Sequence, residues 1–253
     1  MSYAERLVID AETQSTVLYD EHMVRYSFVA PLAQGKRVLD IACGSGYGSA
    51  FLALNAQSVV GIDLDPEAVA MAQKAYAHEK IHFQVGDATA LQLADNSIDF
   101  VTSFETIEHL PNIKAYLQEL VRVSTKEALV CISTPNKVVF GQKNPFHLKE
   151  FTREEFEAVL REHFSVVRIF EQKNGLSSFI SSGKGNNNGT ISVVDSGGAP
   201  RYFIAICSQT DFSLNLDAVS SVNVVALERW EHNPGWRLVN GVYAFLQKLK
   251  LVK

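Results

Sequence analysis

Apolar and polar positions along the chain follow two rhythms that take turns. From about Ser15 to Leu32, residues Val17, Leu18, Met23, Val24, Phe28 and Val29 can share one broad helical face. Arg37 to Ile41 is short and β-prone, and it runs into the glycine cluster Gly44-Ser-Gly-Tyr-Gly48. Ser49 to Asn55 reads as helix, Ser58 to Ile62 as a buried strand. A helix from Asp65-Pro66-Glu67 to about Ala77 follows, with Asp65 as cap and Pro66 in the first helical position. Three more strands, Ile81–Val85, Ile98–Ser103 and Ala128–Ser133, enclose a helical stretch at Ile113–Val123. Each strand is a nearly continuous apolar run and each alternates with a helix. That pattern predicts a doubly wound α/β fold with a mostly parallel sheet covered on both faces.

After Pro135 the rhythm loosens. Thr152-Arg-Glu-Glu155 has the form of a capping box opening a helix to about His163, and Phe164–Phe170 and Tyr202–Ser208 read as late strands. Between them, residues 177–200 are rich in Gly, Ser and Asn, a composition that fits a mobile loop, an insertion over a site, or plain disorder. A last helix is predicted at Gly241–Leu251. The expected organisation is a helical lid or packing segment at 1–35, the sheet domain at 36–210, and a C-terminal extension at 211–253.

Composition narrows the partners more than the fold. The formal charge of −5 gives no dense basic field, which argues against a nucleic-acid surface. Three widely spaced cysteines, Cys43, Cys131 and Cys207, define neither a disulfide framework nor a zinc knuckle, so a reducing cytoplasm is the expected setting. No apolar stretch approaches the roughly 18 residues that cross a bilayer, so no membrane partner is expected.

The chemistry gathers where strands end. Gly44, Ser45 and Gly46 follow a buried strand and precede a helix, where bare backbone N–H groups and the helix start can approach a ligand closely. A glycine turn alone also suits dinucleotides. Here, however, Asp40 lies inside the preceding strand, and an acid beside the turn suits a free amino group better than a pyrophosphate. Asp63, about 20 residues on, can accept from ribose hydroxyls, and Asp87 after the third strand can accept from an adenine amino group.

These segments, Val38–Ser49, Gly61–Asp65, Gly86–Ala88 and Ser97–Ser103, resemble the successive motifs of class I S-adenosylmethionine-dependent methyltransferases. The resemblance implies a Rossmann-like, seven-stranded sheet. It also implies a cofactor site in which Gly44, Ser45 and Gly46 hold the methionine end. Asp63 takes the ribose with Leu64 beside the adenine, Asp87 and Ala88 meet the adenine, and Phe104 offers backbone to the methionine end.

Beyond the fourth strand, Glu105, Glu108 and His109 fall at i, i+3 and i+4, so one helical turn would place them on a common face. With His147 from the segment after the fifth strand, they form a candidate Mg²⁺ or Mn²⁺ site. The run is similar to the metal-using small-RNA 2′-O-methyltransferases and to the ubiquinone-pathway O-methyltransferases. The alternatives are metal-free chemistry, with His109 as general base and Glu108 capping or pairing, or simple packing. Glu21–Tyr26, Ser133–Lys137 and Asn144–Glu150 further resemble bacterial methyltransferases associated with glycan synthesis. The helix at Glu21–Tyr26 is then either a lid, with Arg25 and Tyr26 touching cofactor or acceptor, or a face packed on the sheet. Trp230, His232 and Trp236 are candidates for a sugar site, packing, or a contact in a homodimer.

The expected function is methyl transfer to a hydroxyl of a small or sugar-linked acceptor. The competing readings are a quinone precursor or phenol, an RNA 2′-hydroxyl, a nicotinamide-dependent oxidoreductase, and a non-catalytic cofactor-binding domain.

Overall fold

The computed structural model describes residues 17–141, 144–173, 177–180, 190–193 and 198–214. The predicted helix at 241–251 and Trp230, His232 and Trp236 lie outside these residues, as does most of the proposed extension. Helix α1 (Val17–Val29) leads through a 3-10 turn (Ala30–Ala33) into β1 (Arg37–Ile41). Then follow α2 (Tyr47–Ala53), β2 (Ser58–Asp63), α3 (Pro66–Ala75), β3 (Ile81–Val85) and β4 (Ile98–Phe104). A second 3-10 turn (Ile107–His109), α4 (Ile113–Val123) and β5 (Ser124–Pro135) come next. They are followed by α5 (Lys137–Phe140), α6 (Arg153–Arg161), β6 (Val166–Gln172), β7 (Ser177–Ile180), β8 (Thr190–Val193) and β9 (Tyr202–Ser208).

Seven strands form one sheet in the order β3-β2-β1-β4-β5-β9-β6, with β1 to β5 parallel and β9 antiparallel to both its neighbours. The predicted doubly wound, mostly parallel sheet is therefore present. Chain order reverses between β1 and β4, which makes their carboxyl ends the topological switch point where such sheets bind ligands.

Side-chain alternation splits the core in two. Leu39, Ile41, Val101, Val130, Ile132, Phe203 and Ala205 face α4 and α6, packing on Tyr116, Leu117, Leu120, Phe156 and Leu160. The intervening Val38, Phe100, Cys131 and Ile206 face α1 and α2, packing with Tyr26, Val29 and Leu52. The polar members of this second face, Asp40 and Thr102, bond to each other inside it. Both Asp65 and the Thr152/Glu155 capping box terminate their helices as predicted.

Two stretches differ from expectation. The first helix ends as a 3-10 turn because Pro31 cannot donate an intrahelical hydrogen bond. The polar segment 177–200 contains a strand pair, β7 and β8, joined antiparallel in register Ser177↔Val193 to Ile180↔Thr190. The β-prone residues Phe179 and Ile180, opposite Ile191 and Thr190, supply the pairing that overall composition concealed.

Candidate active site

The switch point is built first from backbone. Ile41 at the end of β1 pairs with Ser103 near the end of β4, so the glycine turn and Phe104 emerge side by side. Both strands leave the sheet through left-handed residues, Ala42 at φ 54° and Glu105 at φ 51°. Non-glycine residues rarely adopt this conformation, and such strain gathers at functional sites.

The three glycines of the turn are bare for different reasons. A Cβ on Gly46, which has φ 86°, would lie 2.7 Å from Ala72 Cβ and 2.8 Å from the Phe83 ring; one on Gly48 would run into the Tyr26 ring. Gly44 alone has open space where its side chain would be. Its N–H donates to Asp63 Oδ2 at 2.9 Å, while Asp63 Oδ1 accepts from Asp65 N–H at 3.0 Å. Asp63 thus ties the turn after β1 to the loop after β2. Ser45 is buried with its hydroxyl oxygen unpartnered. Leu64 is 61% exposed and Val85 is half exposed, two apolar side chains beside Asp63 and Gly86 in need of a cover. Asp87 is exposed; its Oδ1 accepts from the Thr89 N–H and hydroxyl, both at 2.7 Å, and the half-buried Ala88 packs on the core beneath. Asp63, Asp87 and the turn thus line one edge of the sheet.

Asp40 is the correction on this edge. It is fully buried, and it accepts hydrogen bonds from Ser49 Oγ (2.6 Å), Thr102 Oγ1 (2.7 Å) and Tyr26 Oη (3.2 Å). Burial pushes its carboxyl up to about 6, against the three hydroxyls that favour the ionised form. It supports the turn from below, with Tyr26 closing it from α1, instead of presenting an oxygen at the surface. The Tyr26 ring in turn packs edge-on against Phe104 at 5.0 Å and Tyr47 at 5.8 Å.

Beyond β4 the sequence placed Glu105, Glu108 and His109 on one helical face. The structure brings together Glu108, His109 and His147, with one potential ligand atom from each lying within 4.8 Å of the others. Glu105 stands apart because its left-handed backbone precedes the turn, and Ser133 fixes it there. The Ser133 hydroxyl donates to Glu105 Oε1 at 2.7 Å and accepts from Glu105 N–H at 3.1 Å.

Glu108 is fully buried; its Oε2 accepts from the Thr134 hydroxyl at 3.3 Å and its Oε1 has no hydrogen-bond partner. Burial first, then the Glu105 carboxylate, holds its carboxyl well above the usual range. His109 Nδ1 lies 3.1 Å from the Phe146 carbonyl oxygen, a contact that places the ring proton on Nδ1 and leaves Nε2 as the basic nitrogen, 3.9 Å from Glu108 Oε1.

The 144–150 segment is docked by backbone, since the N–H groups of Leu148 and Lys149 donate to the Glu108 carbonyl. His147 Nδ1 donates to buried Glu150 Oε1 at 2.9 Å, and the Asn144 amide meets Nε2 at 3.0 Å. Glu150 and Asn144 were missed as site residues, although His147 and Glu150 at i, i+3 carried a readable signal. Beside this trio Phe146 and Leu148 are exposed.

Residues 39–132 match the family described as methyltransferase domain. A probable S-adenosylmethionine-dependent methyltransferase from Mycobacterium tuberculosis is 32% identical over 161 residues, 62% of this chain and 58% of that protein. The ubiquinone biosynthesis O-methyltransferase of Pseudomonas syringae is 30% identical over 133 residues, covering 51% and 57%. This chain therefore spans less than two thirds of these relatives. Among solved structures, the YcgJ protein from Bacillus subtilis superposes with TM-score 0.56 at 18% identity, over 75% of this chain and all of that one. The methyltransferase domain of a bacterial Hen1 superposes with TM-score 0.55 at 20% identity, over 76% and 99%. These two likenesses are of fold.

Proposed function

We propose, from the premise that this chain carries a class I S-adenosylmethionine-dependent methyltransferase domain, that it methylates a hydroxyl of a small or sugar-linked acceptor. The observation that carries the acceptor chemistry is the buried Glu108 grouped with His109 and His147 at the carboxyl end of β4, next to Phe104. When bound, S-adenosylmethionine supplies an electrophilic methyl group and leaves as S-adenosylhomocysteine. The ribose falls to Asp63, the adenine to Leu64, Asp87 and Ala88, and the methionine end to Gly44, Ser45, Gly46 and the Phe104 backbone. Exposed Leu64 and Val85 match the flat apolar faces of a purine.

His109 Nε2 takes the acceptor's hydroxyl proton as the oxygen attacks the methyl carbon. The Phe146 carbonyl holds the ring in the required tautomer. Glu108 Oε1, buried without a partner, fits a hydroxyl donor or a cation better than an apolar surface. In the alternative to that role for His109, its Nε2 would instead join Glu108 and His147 in holding a divalent ion such as Mg²⁺ or Mn²⁺, displacing the Asn144 amide, and the ion would lower the pKa of the acceptor hydroxyl.

A second reading makes the acceptor a phenol or quinone precursor. The exposed Phe146 and Leu148 beside the trio favour it, as does the likeness to an O-methyltransferase of ubiquinone biosynthesis. Transfer of labelled methyl from S-adenosylmethionine to a panel of nucleotide sugars, glycan fragments and catechols, with and without chelator, tests both readings. O-methyl product on one class assigns the acceptor. Full activity in chelator eliminates the cation, and no O-methyl product on any acceptor sinks the proposal.

A further inference from the structure

Exposed apolar side chains are not spread evenly over the described residues. Of the large ones, Leu64 and Val85 flank the proposed purine position, and Leu54 caps the end of α2. The remaining three are Val138 at 74%, Phe146 at 40% and Leu148 at 61%, and all belong to one short stretch between β5 and α6. That stretch is closed at its neck. Asn136 and Phe151, both buried, form a parallel bridge there, and the Lys137 N–H donates to the Phe151 carbonyl at 3.0 Å. Val138 therefore lies two residues from the neck on one limb, and Leu148 three residues from it on the other.

The acceptors and the acid of this stretch are turned inward. The Leu148 and Lys149 N–H groups bond to the Glu108 carbonyl, and Glu150 is buried against His147. What remains outside is basic and apolar. From Lys137 to Lys149 the sequence has three lysines, one histidine and no acid. Lys149 is exposed, its ammonium 5.0 Å from the centre of the Phe151 ring, and Lys137 meets Glu155 in an exposed pair at 3.4 Å.

Charge decides what covers such a surface. Residues 236–253 repeat the pattern, with four Lys or Arg among apolar residues and no acid, although the chain as a whole carries −5. That C-terminal sequence is a poor cover, since it would bring cations onto cations. A second copy related by a two-fold axis through the loop would do the same, lysines against lysines. An anionic bilayer takes both kinds of group. Apolar side chains enter its headgroup boundary while the ammonium groups stay at the phosphates. No helix of the described residues is long and apolar enough to cross a membrane, and lying on one requires none.

We propose that the limbs 137–141 and 144–150 form a docking surface for an anionic lipid bilayer, with Val138, Phe146 and Leu148 entering it and Lys137 and Lys149 facing its phosphates. The hydrogen bonds that join Phe146 to His109 and Leu148 to Glu108 then set the trio beside the membrane surface. Docking needs no methyl transfer, so its test is separate from that of the acceptor.

The experiment is co-sedimentation of the full chain with vesicles of phosphatidylcholine alone and of phosphatidylcholine with about a third phosphatidylglycerol. Wild type is expected on the anionic vesicles, less so as salt rises, and to stay in solution with the neutral ones. The pair Val138→Ser with Leu148→Ser, and separately Lys137→Gln with Lys149→Gln, should each weaken binding about tenfold with the melting point unchanged. Where the apolar pair melts lower, the lysine pair decides. Wild type that binds neither vesicle, or both equally, would overturn the proposal. So would undiminished binding by both pairs, which would move any membrane contact away from this loop. A wild-type dimer in sedimentation velocity without lipid, made monomeric by Val138→Ser with Leu148→Ser, would assign the surface to a second copy and overturn it as well.

Discussion

The two halves of the switch point are built by different means. On the side of β1, β2 and β3, each functional group sits at a strand end or within five residues past it and is fixed by near neighbours. Asp63 reaches Gly44 and Asp65, and Asp87 reaches Thr89. On the side of β4 and β5, the groups come from distant parts of the chain. Thr134 meets Glu108, Phe146 meets His109, and Gln172 and Tyr202 meet Arg25. The first side is a set of strand-end turns that any sheet of this order can present. The second is an assembly that exists only when the late strands and α1 are in place. Binding the constant part of a reaction needs only the former; choosing and activating an acceptor draws on the latter.

The sharpest way to break this division is His109→Ala. On the proposed reading turnover falls by about 10² to 10³, the usual contribution of a general base or ligand, while affinity for S-adenosylhomocysteine stays within about threefold. Steady-state methyl transfer and calorimetry check the two halves of that statement. A parallel loss of cofactor affinity would show that the two sides are one unit.

Asp63→Ala is the converse. It removes the acceptor of the Gly44 and Asp65 N–H groups together with the proposed ribose contact. S-adenosylhomocysteine affinity should fall about 100-fold, with Glu108 and His109 left in place. Retained affinity would move the cofactor off this edge.

The same division explains what the sequence disclosed. The sheet, the Asp65 and Thr152 caps and the positions of Gly44 and Asp63 at strand ends follow from patterns local to a few residues, where spacing determines geometry. Asp40 misled because its strand position was legible but its partners were not. Ser49, Thr102 and Tyr26 converge on it from three elements. Glu105 misled because periodicity assumes a continuous helix, whereas φ 51° at Glu105 breaks the turn before it begins. Arg25 could be placed on a helix face, yet nothing local shows that Gln172 and Tyr202 would bury it.

Asp40 also sets a pH test at the junction of the two sides. Its carboxyl is raised to about 6 by burial, above the ordinary value of about 4, so between these values the folded state binds more protons than the unfolded state. Stability from this group is present at low pH and is lost as pH rises from about 4 through about 6. The contribution is about 3 kcal/mol. Glu108, raised in the same direction, adds to the slope, so the comparison is with Asp40→Asn. Denaturant midpoints of ligand-free protein at pH 5 and pH 7 should differ more for wild type than for the variant. Identical slopes would mean that Asp40 is not buried as an acid beneath the turn.

The smallest effect tests whether the assembled side is tuned from behind. Glu150 touches neither of the proposed substrates. It holds His147 by accepting from Nδ1 at 2.9 Å, and it is itself buried, so its charge acts on the ring at close range. Glu150→Gln keeps the size and an acceptor oxygen but removes the charge, which weakens the hydrogen bond that orients the imidazole. Turnover should fall about tenfold, or about 1.4 kcal/mol, while S-adenosylhomocysteine affinity stays within twofold. If His147 acts with His109 and Glu108, the pH dependence of turnover shifts along with its magnitude. If His147 merely docks the 144–150 segment onto the Glu108 carbonyl, Glu150→Gln lowers the melting point and leaves the pH profile where it was.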